Sequence, residues 1–460
     1  MRMAYDPRDK QRQGFAEARN KFLTGGDNPR AYLDGFLARI FKREKTLRAL
    51  TVFDSDGARQ AADAAAARYK AGTPLSPVDG LPLVLKDIFD IEGRPTGWGT
   101  KALTAHPARR DAAIVRALQA GGAVIIGKTA LPELGFGAPA ATVNPWDGAR
   151  SPGGSSSGSA AAVGAGFCPV AIGTQGKGSL SRPSSFCGIY GFKPGHGTIH
   201  RGGDGGGQET NTHVGALAQT LNDAWLTARY LSEEAGPHPG HRGFDGPATL
   251  PDAIKPRCLI RLEGPGWEKT DAPARQAYDA LIDAIARTGI TIRAAHEMPA
   301  TRALESDMRA AADALDVISD YESRWPLLMY IEREHAAPSG AYSDRVIKRG
   351  LERTKVTRSA YHDALEFRRA YRKALSECRE DGLFLISPSS TGIAPKGTDS
   401  TGSSVYQWAS SLAGNPVISL PFMAVEGLPL GLELQGFIGA EENLIAAARA
   451  LDEGFAQGNF

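Results

Sequence analysis

The sequence predicts an α/β protein with a buried sheet flanked by helices. From Gly80 onward, short continuous apolar runs alternate with stretches of helical period and glycine breaks, the pattern of strands covered on both faces. Composition agrees: apolar residues make up 42% and charged residues 23% of 460 positions, with 54 Gly and 29 Pro, the profile of a folded globular chain.

The elements follow in order. "AYLDGFLARIFKRE" places Tyr32, Leu33, Phe36, Leu37, Ile40 and Phe41 on one helical face, and "ARQAADAAAARYKAG" continues as an Ala-rich helix closed by Gly72. "LPLVLKDIFDI" reads as a strand running into a loop, "DAAIVRALQAGG" as a helix, and "AVIIGKT" as a strand. "SGSAAAVGAG" reads as a small-residue helix and "CPVAIGT" as a strand; "RGGDGGGQETN" reads as a glycine-dense surface loop or lid, its glycines within 202–207. The region from Asp271 to Cys378 reads as several helices carrying Tyr321, Trp325 and Tyr330, an aromatic group that either packs in the core or walls a substrate pocket. "LFLIS", "PVISLPF" and "LPLGLELQGF" return to strands before a closing helix with Leu444, Ile445, Ala448, Leu451 and Phe455. With no repeat or clear linker, one large domain is expected over residues 1–460. Within it, residues 1–76 form a helical N-terminal region, 77–230 a core, 231–380 a variable and mainly helical region, and 381–460 the C-terminal strands and helix.

Charge and cysteine usage narrow the function. Fifty-three Lys+Arg against 51 Asp+Glu give +2, which argues for a small-molecule substrate and against nucleic acid or an anionic membrane. The four cysteines, Cys168, Cys187, Cys258 and Cys378, form no CxxC pair, so buried thiols are expected, with no disulfide framework and no metal site. No cofactor motif is present, and a polar N-terminal stretch without an apolar core suggests a cytoplasmic protein.

The chemistry concentrates in "GTQGKGSLSRP", Gly173 to Pro183. A phosphate loop needs its lysine directly before Ser or Thr, and here Lys177 is followed by Gly178. A nucleophilic serine needs a base in reach; no GxSxG elbow exists and the histidines are scattered. Lys86, which ends the apolar run of "GLPLVLKD", is where a desolvated lysine with a depressed pKa is expected.

Together, "GLPLVLKD", "NPWDGARSPGGSSSGSAAA" and "GTQGKGSLSRPSSFCGIYGFKPG" resemble the amidase signature family, with weaker echoes in "GNPVISLP" and "GLPLGLELQG". The resemblance implies one large mixed β-sheet flanked by many helices and a Ser, cis-Ser, Lys triad: Ser179 as nucleophile, Ser155 as proton shuttle after a cis Gly154–Ser155 peptide, and Lys86 as base. It implies hydrolysis of a small linear amide, or a carbamate (urethane) or ester, through an acyl-enzyme, with the backbone N–H groups of Gly176, Lys177, Gly178 and Ser179 facing the oxyanion. A homodimer is expected on the same analogy.

Where family members commonly show "GTDTGGSIR", this chain has Gln175, Gly176, Lys177 and Ser181. Gln175 and Arg182 resemble a branch with "GTQ" and "RP" in this loop. A positive φ at position 177 would strain a lysine, whose side chain points either to solvent or to an anionic substrate. Supporting roles are expected for Asp87, which organises local hydrogen bonds, and Ser156, which orients Lys86 or Ser155. Leu134, Gly135 and Phe136 align near the acyl pocket, and Trp98 belongs either to the entrance or to the core. Two alternatives remain open: the amidase-type subunit of a tRNA-dependent amidotransferase, and a catalytically weakened ligand-binding member of the fold.

Overall fold

The computed structural model describes residues 4–8, 14–104, 106–205, 207–334 and 342–460. Its centre is an eleven-stranded mixed sheet. In chain order the strands are β1 (Leu50–Phe53), β2 (Pro82–Lys86), β3 (Val124–Thr129), β4 (Val170–Gln175), β5 (Tyr190–Lys193), β6 (His213–Ala218), β7 (Cys258–Arg261), β8 (Thr291–Ala294), β9 (Leu383–Pro388), β10 (Val417–Val425) and β11 (Leu428–Gln435). They lie in the order β1-β3-β2-β4-β6-β5-β10-β11-β9-β7-β8. β2 runs parallel to both β3 and β4, and β7 parallel to β8 and β9, while the remaining pairs are antiparallel.

The apolar runs are strands because both faces are covered. β2, β4, β9 and β11 are buried at every position, with one apolar cluster built around Phe192, Trp225 and Leu432 and another around Leu33, Val84 and Ala161. The N-terminal helices span Pro29–Leu47 and Ser55–Lys70, begun by the side chains of Asn28 and Asp54 accepting from the first-turn amides of Ala31 and Gly57. Leu33, Phe36, Leu37 and Ile40 are buried as the period requires. Phe41 is not: it is 60% exposed and lies edge-on to Phe53.

The middle of the chain is mainly helical, with helices at Ala272–Arg287, Met308–Glu334 and Arg358–Glu377 among others, and it also supplies two short strands. β7 and β8 extend the sheet at its edge; "TIRA" alternates exposed and half-buried positions, so no apolar run announces it. The four cysteines are free and buried. Among the described residues no helix is long and apolar enough to cross a membrane.

Candidate active site

The site forms where two parallel strands end side by side. β2 and β4 pair in register, Leu85 beside Ile172, so Lys86 at the end of β2 comes level with the end of β4 and the loop that follows it. Strand carboxyl ends are where α/β sheets place ligands. The third component is the turn before the helix Ser157–Gly164, and this helix needs its small residues. A Cβ on Gly158 would lie 2.2 Å from the Ala49 carbonyl oxygen, and Ser159 Oγ bonds Thr129 Oγ1 at 2.7 Å. The helix therefore seats against β3 and presents Ser155 to Lys86, after a cis Gly154–Ser155 peptide.

Lys86 is 2% exposed. Its Nζ lies 2.8 Å from Ser155 Oγ and 2.9 Å from Thr174 Oγ1. Burial pulls the Lys86 ammonium down to about 7, against a smaller upward pull from Asp204, so near neutral pH the amine is substantially uncharged and has a lone pair to accept a proton. Lys86, Ser155, Thr174 and Ser179 line one cavity of about 500 Å³. Ser179 Oγ makes no hydrogen bond among the described residues, which leaves it free to meet a substrate; catalytic hydrogen bonds commonly tighten only in the substrate complex.

The loop Gly176–Gly178 is held from beneath by Gln175. Gln175 Oε1 accepts from the backbone N–H of Leu180 at 2.9 Å and of Ser181 at 3.1 Å, and its Nε2 donates to Ser411 Oγ at 3.3 Å. Among the described residues the backbone N–H groups of Gly176, Lys177, Gly178 and Ser179 have no acceptor. Lys177 does not take a positive φ, so the anticipated strain is absent. Its side chain pairs with Asp316 instead of ending in solvent, while burial and the neighbouring Arg349 draw the ammonium down to about 8.

The supporting residues are divided. Asp87 accepts from Gly97 N at 3.3 Å and forms a buried ion pair with Lys128 at 2.6 Å. Arg182 bridges the Gly154 carbonyl and the Gly402 carbonyl, the latter at 2.6 Å, tying the turn at Ser155 to the segment opposite. Ser156 Oγ donates to the Thr174 carbonyl at 3.4 Å and reaches neither Lys86 nor Ser155; Thr174 supplies the contact expected of it. Leu134, Gly135, Phe136 and Trp98 line the cavity. Trp325 does not: it is 60% exposed, on the outer face of the helix Met308–Glu334. Tyr321 stacks on Tyr361 at 4.1 Å, and the Tyr330 side chain lies outside the described residues. The glycine-rich stretch is a wall and not a free lid, because Gly203 accepts from Asp90 N, Gly202 accepts from Ala113 N and Gly207 lines the cavity; Gly206 is outside the described residues.

Thr174 and three arginines, Arg345, Arg349 and Arg353, escaped the sequence reading yet line the cavity. Thr174 stands inside the motif "GTQGKGSLSRP", but its contact with Lys86 depends on the β2–β4 register, which the motif alone does not show. The arginines stand at intervals of four in "DRVIKRGLER", a spacing that puts them on one helical face.

A mixed sheet that brings a buried lysine bonded to one serine beside a loop of free amides and a second serine has the parts that nucleophilic hydrolysis needs. The chain belongs to the Amidase family, whose model matches residues 31–445. It is 32% identical over 464 residues to the A subunit of the glutamyl-tRNA(Gln) amidotransferase of Anaeromyxobacter sp. (strain K), covering 91% of this chain and 92% of that protein. It is 30% identical over 471 residues to the protein of the same name from Roseiflexus castenholzii, covering 95% and 94%. A solved structure described as that of an amidase superposes with a TM-score of 0.83 at 25% identity, covering 96% of this chain and 99% of the other.

Proposed function

We propose that this protein hydrolyses the C–N bond of a small linear amide or carbamate, with esters as side substrates, through an acyl-enzyme on Ser179. The observation that carries this reading is the buried Lys86, its ammonium pulled down to about 7 by burial, bonded to Ser155 in the cavity that Ser179 lines. Neutral Lys86 keeps its bond to Thr174 as donor and accepts the Ser155 proton, while Ser155 takes the Ser179 proton. Ser179 Oγ attacks the carbonyl carbon, and the oxyanion meets the free amides of Gly176 to Ser179. One such donor contributes about 3–4 kcal/mol in the transition state. Collapse breaks the C–N bond, and the amine leaves with the proton returned from Lys86 through Ser155. Water then repeats the relay and releases the acid, or, where the substrate is a carbamate, an alkyl hydrogen carbonate that breaks down to carbon dioxide and the alcohol.

The test is covalent. A fluorophosphonate probe followed by peptide mapping is expected to give a single adduct on Ser179, lost in Lys86→Ala and Ser155→Ala. Absence of an adduct in folded protein would overturn the mechanism and favour a ligand-binding role. A second reading, the amidase-type subunit of a tRNA-dependent amidotransferase, draws on the curated relatives of that name. It predicts release of ammonia from L-glutamine, and a protein that cleaves aryl amides alone but leaves glutamine intact would exclude it.

A further inference from the structure

The cavity is lined by more cationic side chains than its catalytic residues explain. The helix Asp344–Arg353 is docked by Val346, which is fully buried against Leu134, Leu327 and Tyr342. Its N-terminus is pinned by Glu133, which accepts from the backbone N–H and the hydroxyl of Ser343. An arginine-rich helix ordinarily turns its charged face to water. Here Arg345, Arg349 and Arg353, at intervals of four, all border the cavity that holds Ser179. Lys177 borders it from the nucleophile loop, and Asp204 is the one acidic side chain among the described residues lining it.

The counter-charges do not balance this group. Asp316 pairs with Lys177, and Asp320 serves both Arg353 at 2.8 Å and Arg349 at 3.7 Å. Arg353 also lies over the Phe136 ring, 4.1 Å from its centre, and is held as part of the wall. Arg345 has neither an ion pair nor a hydrogen bond among the described residues, and Arg349 has only a long one. Two guanidinium groups on one face thus remain available to a ligand in the cavity. A guanidinium fork is suited to a carboxylate, which it can bind through two parallel hydrogen bonds.

We propose that the substrate is an anionic amide, bearing a carboxylate that Arg345 and Arg349 hold while Ser179 attacks the amide carbonyl. This inference rests on the serine-hydrolase reading above and adds the charge of the substrate to it. The carboxylate lies on either the acyl or the amine portion of the substrate, and the experiment separates the two.

Kinetics are measured on matched 4-nitroanilides: the succinyl monoanilide against its neutral methyl ester, and the butanoyl amide of 5-amino-2-nitrobenzoate against butanoyl 4-nitroanilide. One carboxylate-bearing member is expected to exceed its neutral match about tenfold or more in kcat/KM, chiefly through KM, with the advantage shrinking as salt rises. In Arg345→Gln/Arg349→Gln that ratio is expected to fall towards one, and in Arg345→Lys to be largely retained. Neutral members cleaved as efficiently as both carboxylates, or a ratio preserved in the double variant, would overturn the inference. Fluorophosphonate labelling tells the two failures apart. A Ser179 adduct without carboxylate preference removes the anionic substrate alone, whereas no adduct in folded protein removes the hydrolase reading and this inference with it.

Discussion

Replacing Lys86 by Met is expected to stabilise the protein at neutral pH while abolishing its activity. Burial holds Lys86 at about 7 against an ordinary 10.5, a difference of about 3.5 units, and each unit corresponds to about 1.4 kcal/mol. The folded pKa is lowered, so between those two values the unfolded chain binds the extra proton and the stability of the wild type rises with pH. The ionisation cost carried by the fold is then about 5 kcal/mol at pH 6, about 4 at pH 7 and about 2 at pH 9. Met has similar volume and removes this cost, but it deprives Ser155 and Thr174 of a partner, a loss of about 1–3 kcal/mol. The variant is therefore expected to be more stable by about 2 kcal/mol at pH 7 and close to equal at pH 9. At roughly 2.1 cal/mol/K per residue over 460 residues, 1 kcal/mol shifts Tm by about 1 °C. Thermal scans of wild type and Lys86→Met at one scan rate from pH 6 to 9 should show a positive difference that closes by about 3 °C. A variant less stable than wild type by the same margin at every pH would mean that Lys86 is not desolvated in the fold, and the proposed base would lose its physical ground.

The same depressed lysine sets the rate profile: kcat/KM on a non-ionising substrate should rise with slope one on the acid side and level off above about pH 7, and a rise centred above pH 9 would contradict it. Asp87→Ala should cost about 3–5 kcal/mol, because it strands the buried Lys128 ammonium; a denaturation midpoint unchanged from wild type would refute this role. Gln175→Ala should destabilise by about 2–4 kcal/mol, by leaving the Leu180 and Ser181 amides without an acceptor, and should lower kcat at least tenfold on loosening the loop. Wild-type kcat in that variant would show that the loop needs no support from beneath.

What could be read from the residues, and what could not, divides on physical lines. β2, β4 and the helix Ser157–Gly164 were legible because they are covered on all sides, and continuous burial leaves continuous apolar or small-residue runs. β1, β5, β7 and β8 have only four residues each, too few for a period to emerge, and "TIRA" at the edge is half exposed. The candidate site was legible as three motifs whose order matches a family. Thr174 was not, because its hydroxyl matters only once β2 and β4 lie parallel and in register. Trp325 misled for the opposite reason: an aromatic residue near others in sequence carries no information about which side of its helix faces inward, and here that side is solvent. The arginines of the helix Asp344–Arg353 have a visible spacing, but the same spacing describes any solvated helical face; only the docking of Val346 sets that face along the cavity, with Arg353 buried and Arg345 still exposed.

The departures from the common nucleophile-loop pattern acquire a shared logic in three dimensions. Gln175 replaces a carboxylate and still accepts two backbone N–H bonds, so the loop keeps its support without placing a negative charge near Lys86. That matters because a buried negative charge would favour the protonated lysine and remove the base; Asp204 already pulls in that direction. An anionic substrate would add to the pull unless its charge were met elsewhere. The cations along the cavity wall, Lys177 in the loop and Arg345 and Arg349 on the helix beside it, supply that compensation. A cavity able to bind a carboxylate and keep a lysine neutral needs that carboxylate's charge met by cations other than the base, and Lys177, Arg345 and Arg349 border this cavity together with Lys86.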